Sequence, residues 1–332
     1  MLKINRLIPA ARDCAKLQPL IYPGLSGDRQ RRPMSWQASV QSIAATQAGI
    51  FKTISESAPV ECCQKYLLYV HEVSGLPWWA SLVISTVAVR SVVTLPLAVY
   101  QQTILAKLEN LKQELPAIAE ELRHETNVAV KLFKWDERTA KAAFKATMKQ
   151  QWNRLVVRDN CHPFKTTVLL WFQIPLWVSL SVSWRNLTYM LPVPDLAAQI
   201  TYSELAVGGF GFIPNLTVPD ASWIFPVALG VANLAIIELQ LLSRTSGPRS
   251  RTQTVITNVF RVLSVVMVPI AASVPSCLAL YWTTSSAYGL VQNLVLLSPR
   301  AKRLFKVPET SVEVKEPYKL IVTNLKTKLK LS

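Results

Sequence analysis

Apolar residues gather along this chain in five runs, and the stretches between the runs alternate between strongly basic and nearly uncharged. A membrane span needs about 20 predominantly apolar residues. Residues 77–100 qualify, interrupted only by Arg90, and residues 166–184 qualify with no charge at all. Residues 221–242 carry Glu238 near their end, residues 255–274 carry Arg261, and residues 276–297 are uncharged. The last two runs are joined only by the SVPS at 273–276, which predicts a tight helical hairpin. Between the first two runs, residues 102–114 and 125–158 show apolar positions at helical spacing among Lys, Glu and Ala. They predict a second, polar helical hairpin, with Pro116 breaking or restarting its first arm. The alternative, a plain charged linker, does not account for the persistent periodicity.

Charge orients these elements. The segment 101–163 holds eleven Lys and Arg residues, the loop 243–254 holds Arg244, Arg249 and Arg251, and the tail from Ser298 holds nine. All three fall on one side of a five-span protein, while the other side has only Lys65 and Arg185 near the spans. By the positive-inside rule the basic side is the inner one. The outer loop, 185–220, is rich in Pro, Gly and aromatic residues, and Asp220 just before the third run is expected to cap its helix. Trp78, Trp79, Trp184, Tyr189 and Trp223 stand at span ends, where interfacial aromatics belong.

The first 60 residues differ. MLKINRLIPAARDCAKLQPL carries Lys3, Arg6, Arg12 and Lys16 against one acid, Asp13, and a Ser/Ala/Gln stretch follows RQRRPMSW. That is the composition of a mitochondrial presequence, which would place the basic side in the matrix. A disordered basic tail is the alternative. No apolar core follows the charges, which argues against a secretory signal. Half of the 332 residues are hydrophobic and the net charge is +16, a combination that fits an integral membrane protein rather than a soluble basic domain.

Catalytic chemistry finds little support. The five cysteines include no CxxC pair and no metal-ligand spacing, and the adjacent Cys62 and Cys63 read as inert rather than redox-active. His71–Glu72 is not part of an HExxH, Cys161–His162 has no ligand set around it, and there is no phosphate-binding GxxxxGK[ST] loop. No catalytic residue, metal or cofactor is expected.

The chemistry of interest is Arg90. It lies thirteen residues from Pro77 and ten from Tyr100, near mid-depth of the first span. A central arginine costs about 2.5–3.5 kcal/mol on insertion scales, so its surroundings must be wet or it must be paired. Thr86, Arg90, Thr94 and Gln101 fall within an arc of about 80° on a regular helix. The second span offers Thr166, Gln173 and Ser181 near one face, and the fifth offers Tyr281, Ser285, Tyr288 and Gln292. If these stripes converge they line a water-containing groove with Arg90 as its central charge. The candidate groove set is Arg90, Thr86, Thr94, Gln101, Gln173, Ser181, Tyr281, Ser285 and Gln292. Two structural alternatives stand beside it: ordinary Ser/Thr helix packing, and a pair between Arg90 and Glu238, which would need a large shift in depth.

These residues resemble the YidC/Oxa/Alb membrane protein insertases. The likeness runs in order through RSVVTLPL with Gln101, Leu111 to Gln113 and Pro116, then FQIPLW at 172–177, NLTVPD and IFPVALG around the third run, and VPSCLALYWTTSSAYGLVQN at 274–293. It covers roughly residues 66–297. LLYVHEVSGLPWW and TVAVRSVVTLPLAVYQ are similar in particular to the mitochondrial branch that assists cytochrome c oxidase assembly.

The resemblance implies an all-α integral membrane protein of five transmembrane helices, with a matrix-side helical hairpin and a polar groove. The expected organisation is a presequence and disordered segment over 1–60, an insertase core over 61–297, and a short basic matrix tail over 298–332. It implies a multi-pass protein of the mitochondrial inner membrane, with the mature N-terminus in the intermembrane space and the C-terminus in the matrix. Its non-enzymatic activity would be export of the C-terminal domain of oxidase subunit 2. Subunit 2, the lipid bilayer and accessory oxidase-assembly factors are the implied partners. The tail of 35 residues is too short for the long basic coiled coil of the ribosome-binding paralogue, so ribosome contact is expected to be weak. A non-translocating assembly scaffold and a small-solute transporter are the competing readings, and an intramembrane hydrolase lacks a nucleophile and base.

Overall fold

In a computed structural model, residues 49, 51–243, 251–310 and 313–328 are described. Most of the expected presequence, Arg244 and Arg249 of the basic loop, and Lys330 of the tail lie outside them. Among the described residues every named element is helical, and β-structure is confined to two isolated bridges, Phe210↔Ile213 and Pro219↔Pro275.

Helix α1 (Ala58–Ser74) begins with a proline in its first turn and stops at Gly75, whose φ of 60° is left-handed. Helix α2 (Trp78–Val89) passes into a π-turn, Arg90–Thr94, and then into α3 (Leu95–Phe133), so one rod runs from Trp78 to Phe133. The π-turn stands just ahead of Pro96. Proline has no N–H for the helical ladder, and its ring crowds the carbonyl one turn back. The widened turn takes up that misfit: the Leu95 N–H and the Thr94 hydroxyl both bond the Arg90 carbonyl.

Pro116, expected to interrupt the hairpin, does not. Helix α3 continues through it to Phe133 and ends at Lys134, φ 48°, so the turn lies at 134–136 and α4 is Glu137–Arg158. The lost hydrogen bond is outweighed because Leu108, Leu111 and Leu122 are buried on both sides of the proline, and Ala, Glu and Leu between them favour helix. At the base, Ile104, Leu108 and Leu111 pack on Val156 and Cys161, with Trp152 and Leu155 around them. Arg158 bonds Glu114 at 3.0 Å and Asp159 at 2.8 Å, and it holds the Asp159 carboxyl below the usual range. Burial, with the Asp159 charge beside it, pushes the Cys161 thiol up.

A 3₁₀ turn (Pro163–Thr167) leads into α5 (Val168–Tyr189), which ends at Met190 in the left-handed region. The outer loop contains an unforeseen helix, α6 (Leu196–Val207), whose cap Asp195 accepts from the Ala198 N–H at 2.7 Å. Helices α7 (Ile224–Leu242), α8 (Arg251–Ser273) and α9 (Ser276–Leu297) follow, then α10 (Pro299–Leu304) and α11 (Pro317–Lys328). Asp220 is not the N-cap of α7; Trp223 holds that position. The buried Asp220 carboxylate acts from further out, accepting from the Phe225 N–H at 3.2 Å and from Ser222.

Among the described residues, four helical segments are long and apolar enough to cross a membrane: Trp78–Phe133, Pro163–Tyr189, Ile224–Leu242 and Arg251–Ser273. Helix α9 has the length, at 22 residues, but carries Thr283, Thr284, Ser285, Ser286, Gln292 and Asn293. It is the helix most enclosed by protein, with Cys277 to Trp282 all buried.

The expected hairpin of the last two spans is looser than foreseen. Helices α8 and α9 each pack on α7 far more than on each other. Gly230 permits the close approach of α8, since a Cβ there would stand 2.5 Å from Val268 Cγ2. On the other side of α7, Thr283 of α9 donates to the Phe225 carbonyl at 3.0 Å.

Two of the five expected interfacial aromatics are core residues. Trp78 and Trp184 are 2% and 1% exposed and meet edge to face at 6.2 Å. Trp78 also stacks on His71 and donates to Glu204 at 3.0 Å, tying α1, α2 and α6 together. Tyr189 and Trp223 are exposed.

Candidate polar groove

The rod through Arg90, α5, α7 and α9 surround a cavity of about 580 Å³. Five of the nine candidate residues line it: Arg90, Gln101, Gln173, Ser285 and Gln292. The Arg90 Nη2 donates to Ser285 Oγ, one helix across. One residue on, Ser91 and the Tyr288 hydroxyl are 2.9 Å apart. At the basic end, Gln101 Nε2 donates to the Thr166 carbonyl at 2.6 Å and joins α3 to the start of α5.

No described ion pair includes Arg90. Glu238 is engaged elsewhere: its Oε1 accepts from Arg261 Nε at 3.0 Å and Nη2 at 2.5 Å, and its Oε2 accepts from Lys328 at 2.5 Å. Among the described residues the cavity lining holds Arg90 and Lys302 and no carboxylate; Lys302 pairs with Glu313 outside the lining at 3.3 Å, and Arg90 has no such partner. A cation in a low-dielectric wall without a counter-ion sets up a positive potential that water screens poorly.

The other candidates sit differently. Thr86, Thr94 and Tyr281 border a small chamber of about 10 Å³ beside Arg90, together with Gln173 and apolar residues of α5. That is scarcely room for one water. The Thr86 hydroxyl donates to Leu82 O at 2.8 Å and that of Thr94 to Arg90 O at 2.7 Å, both within their own rod. Ser181 borders neither space. It accepts from Trp282 Nε1 at 3.0 Å and donates to Trp177 O at 2.8 Å, so it joins α5 to α9.

Sequence reasoning missed Asn233 and Gln240, which also line the cavity, as does Ser286, adjacent to the polar stripe of the fifth span but outside the candidate set. Asn233 Oδ1 accepts from Ser286 at 2.9 Å and holds α7 to α9. The signal was present, because Asn233 and Gln240 are seven residues apart and so share a face of a helix whose single charge is Glu238. Towards the basic end, Gln102, Leu105 and Lys302 border both this cavity and a second one of about 400 Å³. The second lies between the hairpin base and Lys302, Val307, Pro308, Thr310 and Glu313.

Comparison with known proteins places these features in a family. The family model described as "60Kd inner membrane protein" matches residues 69–303. The human mitochondrial cytochrome c oxidase assembly protein COX18 is 42% identical over 325 residues, which span 97% of this chain and 96% of that protein. The mouse protein of the same name is 44% identical over 285 residues, 86% of this chain and 84% of that one. The mitochondrial inner membrane protein OXA1 of Arabidopsis thaliana is more distant, 26% identical over 278 residues, 82% of this chain and 58% of that one.

Proposed function

Since the chain belongs to the 60Kd inner membrane protein family, the YidC/Oxa insertases, we propose that it inserts protein segments into the mitochondrial inner membrane during cytochrome c oxidase assembly. Its client is the C-terminal domain of oxidase subunit 2, which it exports to the intermembrane space. Helix α9 serves as a fifth span, the hairpin α3–α4 and the basic tail face the matrix, and the mature N-terminus faces the intermembrane space. Residues 1–60 act as the presequence. Accessory assembly factors receive the exported domain, and contact with the ribosome is weak.

The observation that carries this reading is Arg90, bonded to Ser285, lining a cavity of about 580 Å³ whose wall, among the described residues, holds no acid. A polar or acidic client segment entering from the basic side meets a cation that has no internal counter-ion. Half-way across, it exchanges water for Gln and Asn side chains, and the hydrophobic thickness left to cross is shorter. Apolar client segments pass sideways into lipid. The step is a transfer between environments, with no covalent change to the client.

The test is replacement of Arg90 by Ala and by Lys in cells lacking the native protein, followed by protease treatment of mitoplasts. At equal protein abundance, Ala should leave the subunit 2 domain protected and Lys should restore its exposure. Normal export with Ala would remove the groove cation from the mechanism and favour a non-translocating scaffold.

A further inference from the structure

We infer that the groove recognises its client chiefly through the client's main chain: the ligand class is an extended polypeptide backbone, whose N–H and C=O groups are taken up by carboxamide side chains. This rests on the insertase reading above and says what the cavity binds.

Carboxamides are the commonest polar groups in the lining, contributed by the first rod, α5, α7 and α9. Most have bonding capacity left over. The side chains of Gln102, Gln173, Gln240 and Gln292 make no hydrogen bond to another described residue, and Gln292 Oε1 is buried without a partner. These are not structural clasps of the kind Gln101 makes with Thr166.

A carboxamide offers two N–H donors and one carbonyl acceptor, the same groups a peptide unit presents. A client segment part-way across the bilayer has not yet closed its backbone bonds into a helix, and each unpaired peptide group there is strongly disfavoured. An arginine can answer a carbonyl or a carboxylate, but it has no acceptor for an N–H. Gln and Asn answer both.

The spacing suits a strand. Asn233 and Gln240 on α7 are seven residues apart, as are Ser286 and Asn293 on α9. Two helical turns rise about 10.5 Å, close to the length of about three residues of extended chain. The two helices therefore present polar groups at two matching levels, and the upper level is fixed by the Asn233–Ser286 bond. Neutral groups of this kind hold a chain without regard to its side chains and release it readily. Selection by charge is left to Arg90, since Lys302 is paired with Glu313 at 3.3 Å.

The experiment uses the full-length protein in liposomes with a photoreactive residue in place of Leu170, an exposed residue of the lining. The probe is a synthetic single-span client with a neutral polar leading segment. A twin carries ester bonds in place of alternate amides in that segment, which deletes N–H donors and keeps every side chain. We expect the ester twin to crosslink about five- to tenfold less, the loss of one or two bonds. The double variant Gln240→Leu, Gln292→Leu should reduce the parent client to the same level. Equal yields from parent and twin would overturn the inference. So would crosslinking seen only after acidic residues are added to the client, an outcome that leaves the insertase reading standing. Crosslinking by none of the clients would remove the insertase reading itself, and this one with it.

Discussion

Glu238 offers a quantitative test of how the basic end of the bundle is held. Its carboxylate takes two bonds from Arg261 of α8 and one from Lys328 of α11. The side chains of Glu238 and Arg261 are 31% and 33% exposed and that of Lys328 is 51% exposed. A hydrogen bond to a charged group contributes about 1.5–3 kcal/mol when shielded, and an exposed ion pair about 0–1 kcal/mol. The Arg261 arm lies between these limits, at about 1–1.5 kcal/mol after allowing for solvent screening, and the Lys328 arm near 0.5 kcal/mol. Glu238→Gln should therefore cost about 2 kcal/mol and Lys328→Gln no more than about 0.5 kcal/mol. The Glu238→Gln, Arg261→Gln double variant should show a coupling of about 1 kcal/mol. The assay is unfolding in mixed micelles by SDS titration, at low salt and at high salt, where the Lys328 contribution should vanish first. Additive single effects, with no coupling, would refute the reasoning. A Glu238→Gln protein more stable than the parent would show that desolvation of the pair dominates its attraction.

Three further outcomes follow from packing. Leu111→Ala, at a fully buried position of the hairpin base, should lower stability by about 2–5 kcal/mol, read as faster protease cleavage between α3 and α4. Gly209→Ala should destabilise the outer loop, because a Cβ there would lie 2.0 Å from the Ile213 carbonyl oxygen; the check is reduced accumulation and earlier chymotrypsin cutting after Phe210 and Phe212. A polar maleimide should label exposed Cys62 and spare Cys161 and Cys277, both fully buried, and mass spectrometry of the labelled peptides reads the difference.

Much of the helical layout was legible because hydrophobic length and charge asymmetry report directly on a bilayer. The groove was legible where one side chain had no apolar explanation, as with Arg90, Gln173 and Gln292. It was illegible where the answer depends on a neighbour. Ser181 reads like any groove hydroxyl until the Trp282 indole is seen to occupy it. Thr94 falls on the Arg90 face of a regular helix, but its hydroxyl turns back onto the main chain. Trp78 and Trp184 stand where interfacial aromatics stand, and only the α1 and α6 cover makes them core. Pro116 carries a local rule that buried leucines on either side override.

The π-turn at Arg90–Thr94 has a consequence for how this protein tolerates change in length. A π-turn is an α-helix holding one residue more than its period allows. A single helical wheel drawn through Trp78–Phe133 therefore misplaces everything on one side of the turn by about 100°. Deleting one residue among 90–94 would not merely shorten the rod. It would return the helix to its regular period and leave the α2 segment, with its buried Leu82 and Ser85, at its present phase to the hairpin, because the widened turn had already absorbed the extra residue. The turn is a slip coupling between two machines on one shaft: one residue can be lost inside it without turning either, whereas the same deletion elsewhere in the rod turns one against the other by about 100°.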